Sequence, residues 1–373
     1  MAKKKKRKDV LEQVRKLSQE QVTLTASDRE QFLRAEVARL RNELSQTHKL
    51  KGYYEVLSEE ISGAIEALEP LKAKPYVSSG RLAESEMSAV IKLSDWHIGA
   101  VSKSQETEGF GEFNWSLAQE RTQYIAQKFL GWVESHRRSF KIPRLYVLSE
   151  GDMVSGNIHY ELDVTNEFPV PVQAVKAGGL LAQTIATFAP HFPEIHLSEI
   201  NIDNHSRLTK KLQFAQGGEN SWGYVVHAVA NALLEKHKNV NLIEHKGIRG
   251  VVNINGVPVL TEHGHTVKAW NGIPWYGIER LRGKEASKRM TAFLEQAKRE
   301  HKTLQNEIGF RYMSNGHWHV GSWTSGNILT NGCLPGTTEY DHAAGRYAPP
   351  GQMSFLMHPR HGIFDLTVWG VKR

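Results

Sequence analysis

The chain has 373 residues, with 47 lysines and arginines against 40 acidic residues, which gives a formal net charge of +7. Hydrophobic residues make up 40% and charged residues 23%, proportions that indicate a globular protein with a substantial core. No run of about 18 apolar residues is present, and the basic N-terminus lacks the apolar stretch of a secretory signal. The single cysteine, Cys333, cannot form an internal disulfide, so we expect a protein of the reducing cytoplasm with no membrane span. The positive charge favours polyanionic partners such as nucleic acid.

Two segments precede the main domain. Residues 1–9 form a basic tail that is either solvated or a sequence-independent contact for phosphates. Residues 10–80 show helical spacing of apolar residues and then a stretch rich in proline and serine. We predict a helical or coiled-coil extension with a linker, which either mediates self-association or protein docking or folds back as a hairpin. The main domain is predicted over residues 81–373.

Strands and helices alternate along the main domain. We predict strands ending at Ser94 and over 145–148, 195–202, 240–243, 323–331, 352–357 and 363–371, a hairpin turning at Asn255-Gly256, and helices near 115–137, 172–188, 222–237 and 275–301. This order predicts an α/β fold. Such sheets bind ligands beyond the carboxyl ends of their strands.

Five short stretches follow apolar, strand-like runs and carry metal-ligand residue types. They are Asp95-Trp96-His97, Gly151-Asp152, Asn204-His205, His263-Gly264-His265 and Gly316-His317-Trp318-His319. If the last of these is extended, alternation points both of its imidazoles to one side. A mixture of imidazole nitrogen and hard oxygen without thiolate suits Mn²⁺, Fe, Zn²⁺ or Co²⁺.

In this order, the five stretches resemble the calcineurin-like metallophosphoesterase superfamily. The runs Ser155-Gly156-Asn157-Ile158-His159 and Asn204-His205-Ser206-Arg207 are similar to bacteriophage and prophage members of the DNA-repair-exonuclease, Mre11/SbcD, type. The resemblance implies a four-layer sandwich of two mixed β-sheets flanked by helices, in a bacterial or phage-infected cytosol. It also implies two divalent metal ions, and the likeness to the nucleases favours Mn²⁺.

Transferred position by position, the resemblance implies a ligand set. One metal would be bound by Asp95, His97 and His319, a second by Asn204, His263 and His317, and Asp152 would bridge the two. His205 would act near the leaving group as a general acid or orienting group. Either His263 or His265 can be the fourth-stretch ligand, and the family's strand-end position favours His263. Asp203 stands where the family usually has glycine, a departure at the turn that holds Asn204.

The remaining assignments concern the substrate. Arg207 can pair with a phosphate oxygen, Tyr340 can stack on a base, and His159 and His265 are further substrate contacts. Phosphoprotein phosphatases of the superfamily carry a glutamate after their Asn-His pair, where this chain has Ser206. The favoured hypothesis is a phosphodiesterase in which two metals generate a bridging hydroxide, acting as a DNA nuclease. The alternatives are a phosphatase or phosphodiesterase for small nucleotides and, third, a non-catalytic nucleic-acid-binding adaptor.

Overall fold

A computed structural model describes residues 86–211, 218–269, 272–300, 309–343 and 345–371. The predicted basic tail (1–9) and the helical extension with its linker (10–80) lie outside the described residues. Within the described part, no helix is both long enough and apolar enough to cross a bilayer.

Eleven strands and six α-helices make up the described domain. The strands are β1 (Glu86–Leu93), β2 (Lys141–Ser149), β3 (Glu194–Ile200), β4 (Val240–His245), β5 (Arg249–Ile254), β6 (Val257–Glu262), β7 (Tyr312–Asn315), β8 (Ser322–Thr324), β9 (Ile328–Thr330), β10 (Gly351–His358) and β11 (Gly362–Gly370). The helices are α1 (Trp115–His136), α2 (Tyr160–Thr165), α3 (Val170–Phe188), α4 (Trp222–Leu234), α5 (Trp275–Glu300) and α6 (Glu339–Ala343), with a 3-10 turn at Ala189–His191.

The strands form two mixed sheets. The first has the order β11-β10-β1-β2-β3-β4, in which β1 to β4 are parallel and β10 runs antiparallel to both of its neighbours, β1 and β11. The second has the order β5-β6-β7-β9-β8, with β6, β7 and β9 parallel. The predicted hairpin turn joins β5 to β6, where Asn255 and Gly256 have φ values of 53° and 82°. These positive values are those of a type I′ turn, which confirms the prediction from the Asn-Gly pair.

Three apolar clusters separate four layers. The first lies between the first sheet and helices α1, α3 and α4, and includes Phe129 and Leu181. The second fills the space between the two sheets and includes Val90 and Val259. The third packs the second sheet against α5 through Ile278. The expected order of helices, sheet, sheet and helix is therefore confirmed, although strand alternation alone predicts only one sheet.

Most element boundaries lie within a few residues of the predicted ones. The single strand predicted over 323–331 is instead the hairpin β8–β9, because Ser325 and Gly326 turn the chain with φ values of 50° and 68°. Helices α2 and α6 were not predicted. With 6 and 5 residues, they are too short to show a helical repeat of apolar positions.

A buried ion pair joins the two sheets beneath the ends of β1 and β2. Lys92, on β1, has no exposed side-chain surface, and its Nζ lies 3.3 Å from the Glu150 Oε2. The same ammonium group donates to the carbonyl oxygens of Asn315 and Leu329, at 3.0 and 2.7 Å. The Thr261 hydroxyl donates to the other Glu150 oxygen at 2.9 Å. The pair therefore ties the first sheet to β6, β7 and β9 just below the loops that follow them.

Candidate metal centre

The five predicted stretches meet at one place, beyond the carboxyl ends of strands from both sheets. The first three follow β1, β2 and β3 of the first sheet, and the last two follow β6 and β7 of the second. The backbone links them: the Asp95 N–H donates to the Gly151 carbonyl at 3.0 Å, and the Gly316 N–H donates to the His263 carbonyl at 3.0 Å. The expected position at strand ends is therefore confirmed, and the site is built by two sheets.

The first group of donor atoms comes from Asp95, His97 and His319. The Nε2 atoms of His97 and His319 are 3.1 Å apart, and His319 Nε2 lies 3.8 Å from Asp95 Oδ1. One donor atom from each of the three residues lies within 4.8 Å of the other two, close enough for all three to hold one metal ion. This is the trio that the resemblance implied for one metal.

The second group comes from Asp152, His263 and His317, with Asn204 beside them. His263 Nε2 lies 3.0 Å from Asp152 Oδ2 and 2.9 Å from Asn204 Oδ1. Asp152 Oδ2 also lies 3.9 Å from His97 Nε2 in the first group. One oxygen of Asp152 therefore faces both groups, which is the placement required of a bridging carboxylate.

Hydrogen bonding and charge show that the second group fits a cation. The Glu150 carbonyl accepts from His263 Nδ1 at 2.8 Å, so Nε2 is the ring atom that points at the carboxylate. Burial would lower the pKa of His263, but the negative charge of Asp152 raises it to about 10. Asp152 and Asn204 thus each direct an oxygen at His263 Nε2. A divalent ion at that point would satisfy the same oxygens and take the imidazole nitrogen as a ligand, so these residues fit the metal that the resemblance implies.

The candidate ligands have an unusual backbone. Within the described part of the chain, nine non-glycine residues have positive φ, and five of them belong to the predicted ligand set: Asp95, His97, Asp152, His317 and His319. Such conformations are costly for most side chains and persist where function requires them. The extended conformation expected for the last stretch is wrong, since His317 and His319 have φ values of 70° and 61°. Their rings consequently enter different groups.

His205 reaches the same centre from the loop after β3. Its Nδ1 lies 2.6 Å from the Ser155 carbonyl, which can only accept, so Nδ1 carries a hydrogen. Its Nε2 lies 4.0 Å from Asp152 Oδ2. His97, Asp152 and His205 also form a trio close enough to hold an ion. The structure therefore brings His205 to the site, beside both Asp152 and His97.

Asp203 supports the loop rather than weakening it. Asp203 does not have the positive φ that would require a glycine, so the turn forms with aspartate at this position. Its carboxylate accepts from the Asp152 N–H at 2.9 Å and from the N–H and hydroxyl of Ser206 at 2.6 and 2.7 Å. Burial, together with the charge of Asp152, raises the pKa of Asp203 to about 7. The residue positions Asp152, a role that the sequence analysis missed.

Asp341 is a second missed residue, and it lies behind His319. Its Oδ2 is 3.4 Å from His319 Nδ1 and accepts from the Thr338 hydroxyl at 2.9 Å, while its Oδ1 is 3.2 Å from the Arg346 guanidinium. Burial acts to raise the pKa of Asp341, but its contact with His319 lowers it to about 2. A carboxylate that accepts from the far nitrogen of a ligand histidine fixes the ring and its tautomer.

The predicted substrate residues have different surroundings. The Arg207 guanidinium donates to the carbonyls of Thr209 and Lys210 in its own loop, at 2.9 and 3.0 Å. His159 is exposed at the start of α2. Neither ring nitrogen of His265 has a hydrogen-bond partner in the described chain, and its ring lies 5.6 Å from that of His263. Of the fourth-stretch histidines, it is thus His263 that joins the second group, with His265 as its neighbour.

Comparisons with known proteins concern the fold. No family model and no curated protein matches the chain. Among solved structures it is similar to Vps29 from Entamoeba histolytica complexed with zinc (11% identity, 75% of this chain and 98% of that chain, TM-score 0.26). It is also similar to vacuolar protein sorting 29 from Cryptosporidium parvum (14%, 77% and 100%, TM-score 0.28) and to a predicted phosphoesterase from Streptococcus pneumoniae (10%, 76% and 98%, TM-score 0.23).

At these low sequence identities and TM-scores, the class of protein has to be inferred from the chain's own residues. Two mixed sheets between helices carry two groups of metal-ligand side chains that share Asp152. That combination is typical of a metal-dependent phosphoesterase.

Proposed function

We propose that the protein is a metal-dependent phosphodiesterase of the calcineurin-like superfamily that cleaves nucleic acid as a DNA nuclease. The observation that carries the proposal is the shared carboxylate of Asp152, which is 1% exposed and faces both groups of donor atoms. Two metal sites bridged by one carboxylate are suited to charge neutralisation around a phosphoryl group.

The ligand assignment follows the two groups. Asp95, His97 and His319 would hold one ion, and Asn204, His263 and His317 the other, with Asp152 between them. When bound, two divalent ions neutralise charge on the phosphate and make hydroxide available near neutral pH. The donors suit several transition metals, and Mn²⁺ is the first to test.

His205 would act on the leaving group. Because its Nδ1 donates to the Ser155 carbonyl, Nε2 faces the site. In the protonated ring, Nε2 can donate a proton to the oxygen that departs from phosphorus, and the Ser155 carbonyl keeps the ring oriented. General acid catalysis of this kind contributes about 10²–10⁴-fold to the rate.

Charge near the site favours a polymeric anion over a small ester. Arg207, Lys210 and Lys211 follow His205 directly, and both lysines are exposed. The chain as a whole carries +7. Cations beside a phosphoester centre attract the phosphates that flank the one being cleaved, and their contribution falls as salt rises. Arg207 stabilises its loop in the described conformation and becomes a phosphate contact if substrate displaces the two carbonyls.

The test is hydrolysis of labelled single- and double-stranded DNA, beside bis-p-nitrophenyl phosphate, with Mn²⁺ or with EDTA. Asp152→Ala is the test variant and Asp163→Asn, an exposed carboxylate on α2, is the matched control. DNA cleavage that requires Mn²⁺ and is lost only in Asp152→Ala supports the proposal. Turnover of the small ester alone points to a small-nucleotide phosphodiesterase. Salt-sensitive DNA binding with no turnover points to the adaptor.

A further inference from the structure

Two loops join into one wall beside the first group of donor atoms. The segment 102–113, which follows the Asp95 stretch, bridges to the segment 336–348 at Gly111 and Gly336. Glu339 strengthens the junction, because it accepts from the Ser102 hydroxyl at 2.8 Å and from the Lys103 N–H at 3.0 Å. The wall is therefore ordered by its own contacts.

Four rings line the outside of this wall: Phe110, Tyr340, His342 and Tyr347, which we call the aromatic wall. Phe110 stacks on His342 with centroids 5.7 Å apart and an interplanar angle of 27°, and it meets Tyr347 edge to face at 6.2 Å. Tyr340 is 75% exposed, Tyr347 52% and Phe110 43%. Large aromatic rings that are held in place and yet remain this exposed indicate a surface that binds something.

The aromatic wall is connected directly to a candidate metal ligand. Asp341 lies between Tyr340 and His342 in the chain, and its carboxylate contacts the His319 ring at 3.4 Å. Arg346 spans the same region: its guanidinium lies 3.2 Å from Asp341 and 4.9 Å from the centre of the Tyr340 ring. The rings thus belong to the same short segment whose Asp341 contacts His319 of the first group.

We propose that the aromatic wall stacks unpaired bases of a single-stranded nucleic acid, next to the phosphate that is cleaved. The inference rests on the proposed phosphodiesterase function and narrows its substrate to a single strand or an unpaired end. Every base offers a flat face to an aromatic ring, so this contact requires no particular sequence. In an intact duplex those faces are covered by neighbouring base pairs, so they cannot stack on the aromatic wall.

Most of the charged side chains around the aromatic wall are in ion pairs. Stacking of bases on the wall can therefore be distinguished from electrostatic attraction of phosphates. Lys103 pairs with Glu106 at 3.1 Å and Arg346 with Asp341 at 3.2 Å. The aromatic wall should consequently contribute affinity that depends on the presence of bases and changes little with salt. The cations at 207–211 should contribute the salt-dependent part.

The experiment measures binding of the full chain in EDTA to two fluorescent oligonucleotides, one with bases and one with abasic sugars at the same positions. Wild type is compared with Phe110→Ala, Tyr340→Ala and Tyr340→Phe. Tyr224→Ala is the matched control, since that tyrosine is 45% exposed on α4. We expect both alanine variants of the aromatic wall to reduce the preference for bases by about 5- to 100-fold, the range for loss of one stacked base. Tyr340→Phe and the control should keep it.

Equal base preference in wild type and in both alanine variants overturns the inference, whatever the cleavage result. Failure of the proposed function gives a different result, namely no Mn²⁺-dependent cleavage of any DNA by the wild type. Thermal melting identifies a variant that has lost its fold. Phe110→Ala leaves the pairing of Arg346 with Asp341 in place, so it decides the outcome if Tyr340→Ala is unstable.

Discussion

His319 Nδ1 lies 3.4 Å from Asp341 Oδ2, while the Nε2 of the same ring faces Asp95 and His97. The two residues thus form a carboxylate–imidazole pair directed at the first group of donor atoms. Such a partner fixes the tautomer of a ligand histidine and increases its basicity.

The pair predicts a metal-affinity defect in Asp341→Asn. The neutral amide loses the charge that favours an Nδ1–H on His319, so metal affinity should fall about 10- to 100-fold. Titration of Mn²⁺ into the metal-free protein measures it, with Asp163→Asn as the control. Unchanged affinity in Asp341→Asn would show that Asp341 serves only the loop around Thr338.

His205 and His97 should separate catalysis from metal binding. We expect His205→Gln to retain the metal content of wild type and to lose about 10²–10⁴-fold in rate, because the proposed role of His205 is to donate a proton to the leaving group. His97→Gln should lose part of the bound metal. Metal analysis after dialysis, beside rate measurements, distinguishes the two variants. Loss of metal from His205→Gln would make His205 a ligand, the role that its proximity to Asp152 also permits.

The buried pair of Lys92 and Glu150 predicts a stability effect. Replacing Lys92 by methionine leaves a buried carboxylate without its cation, which should lower the free energy of unfolding by about 3–5 kcal/mol. The double change Lys92→Met with Glu150→Leu should recover part of this loss, because no charge then remains unpaired. Urea unfolding of wild type, both single variants and the double variant tests the coupling. Additive effects in that cycle would contradict it.

Glu199 predicts a pH dependence of stability. The residue is 2% exposed and lines a cavity of about 760 Å³ between β3, β4 and α4. Burial raises its pKa from 4.5 to about 7; the hydrogen bond with Asn231 opposes the rise and the charge of Glu244 adds to it. A carboxyl group that keeps its proton longer in the folded state stabilises the fold below pH 4.5. This contribution is lost as the pH rises towards 7.

Glu199→Gln should therefore be more stable than wild type at pH 8, by about 1–3 kcal/mol, and equal to it below pH 4.5. Melting temperatures across this range measure the difference. Glu295→Gln, an exposed change on α5, should show no such trend. If the stability difference between Glu199→Gln and wild type did not change with pH, it would come from packing and not from ionisation of Glu199.

The sequence predicts the candidate metal ligands better than it predicts the residues that hold those ligands in place. The donors of the five stretches are recognisable because each follows a strand, and the structure brings Asp95, Asp152 and His263 together as expected. Asp341 could not be found in this way, because it lies on a five-residue helix several residues beyond the end of β9 and not directly after a strand. Lys92 carried a usable signal, since a lysine within an apolar strand needs a buried partner, but its partner Glu150 follows the neighbouring strand β2, and the sequence alone does not give that strand order.

His97 and His319 are 222 positions apart in the chain, yet their ring nitrogens lie 3.1 Å from each other. During synthesis, the residues that follow β1 are made long before His319. Each of the two groups of donor atoms takes residues from both sheets, so neither group is complete in one sheet alone. Binding of a metal ion at either group would therefore depend on the second sheet having joined the first.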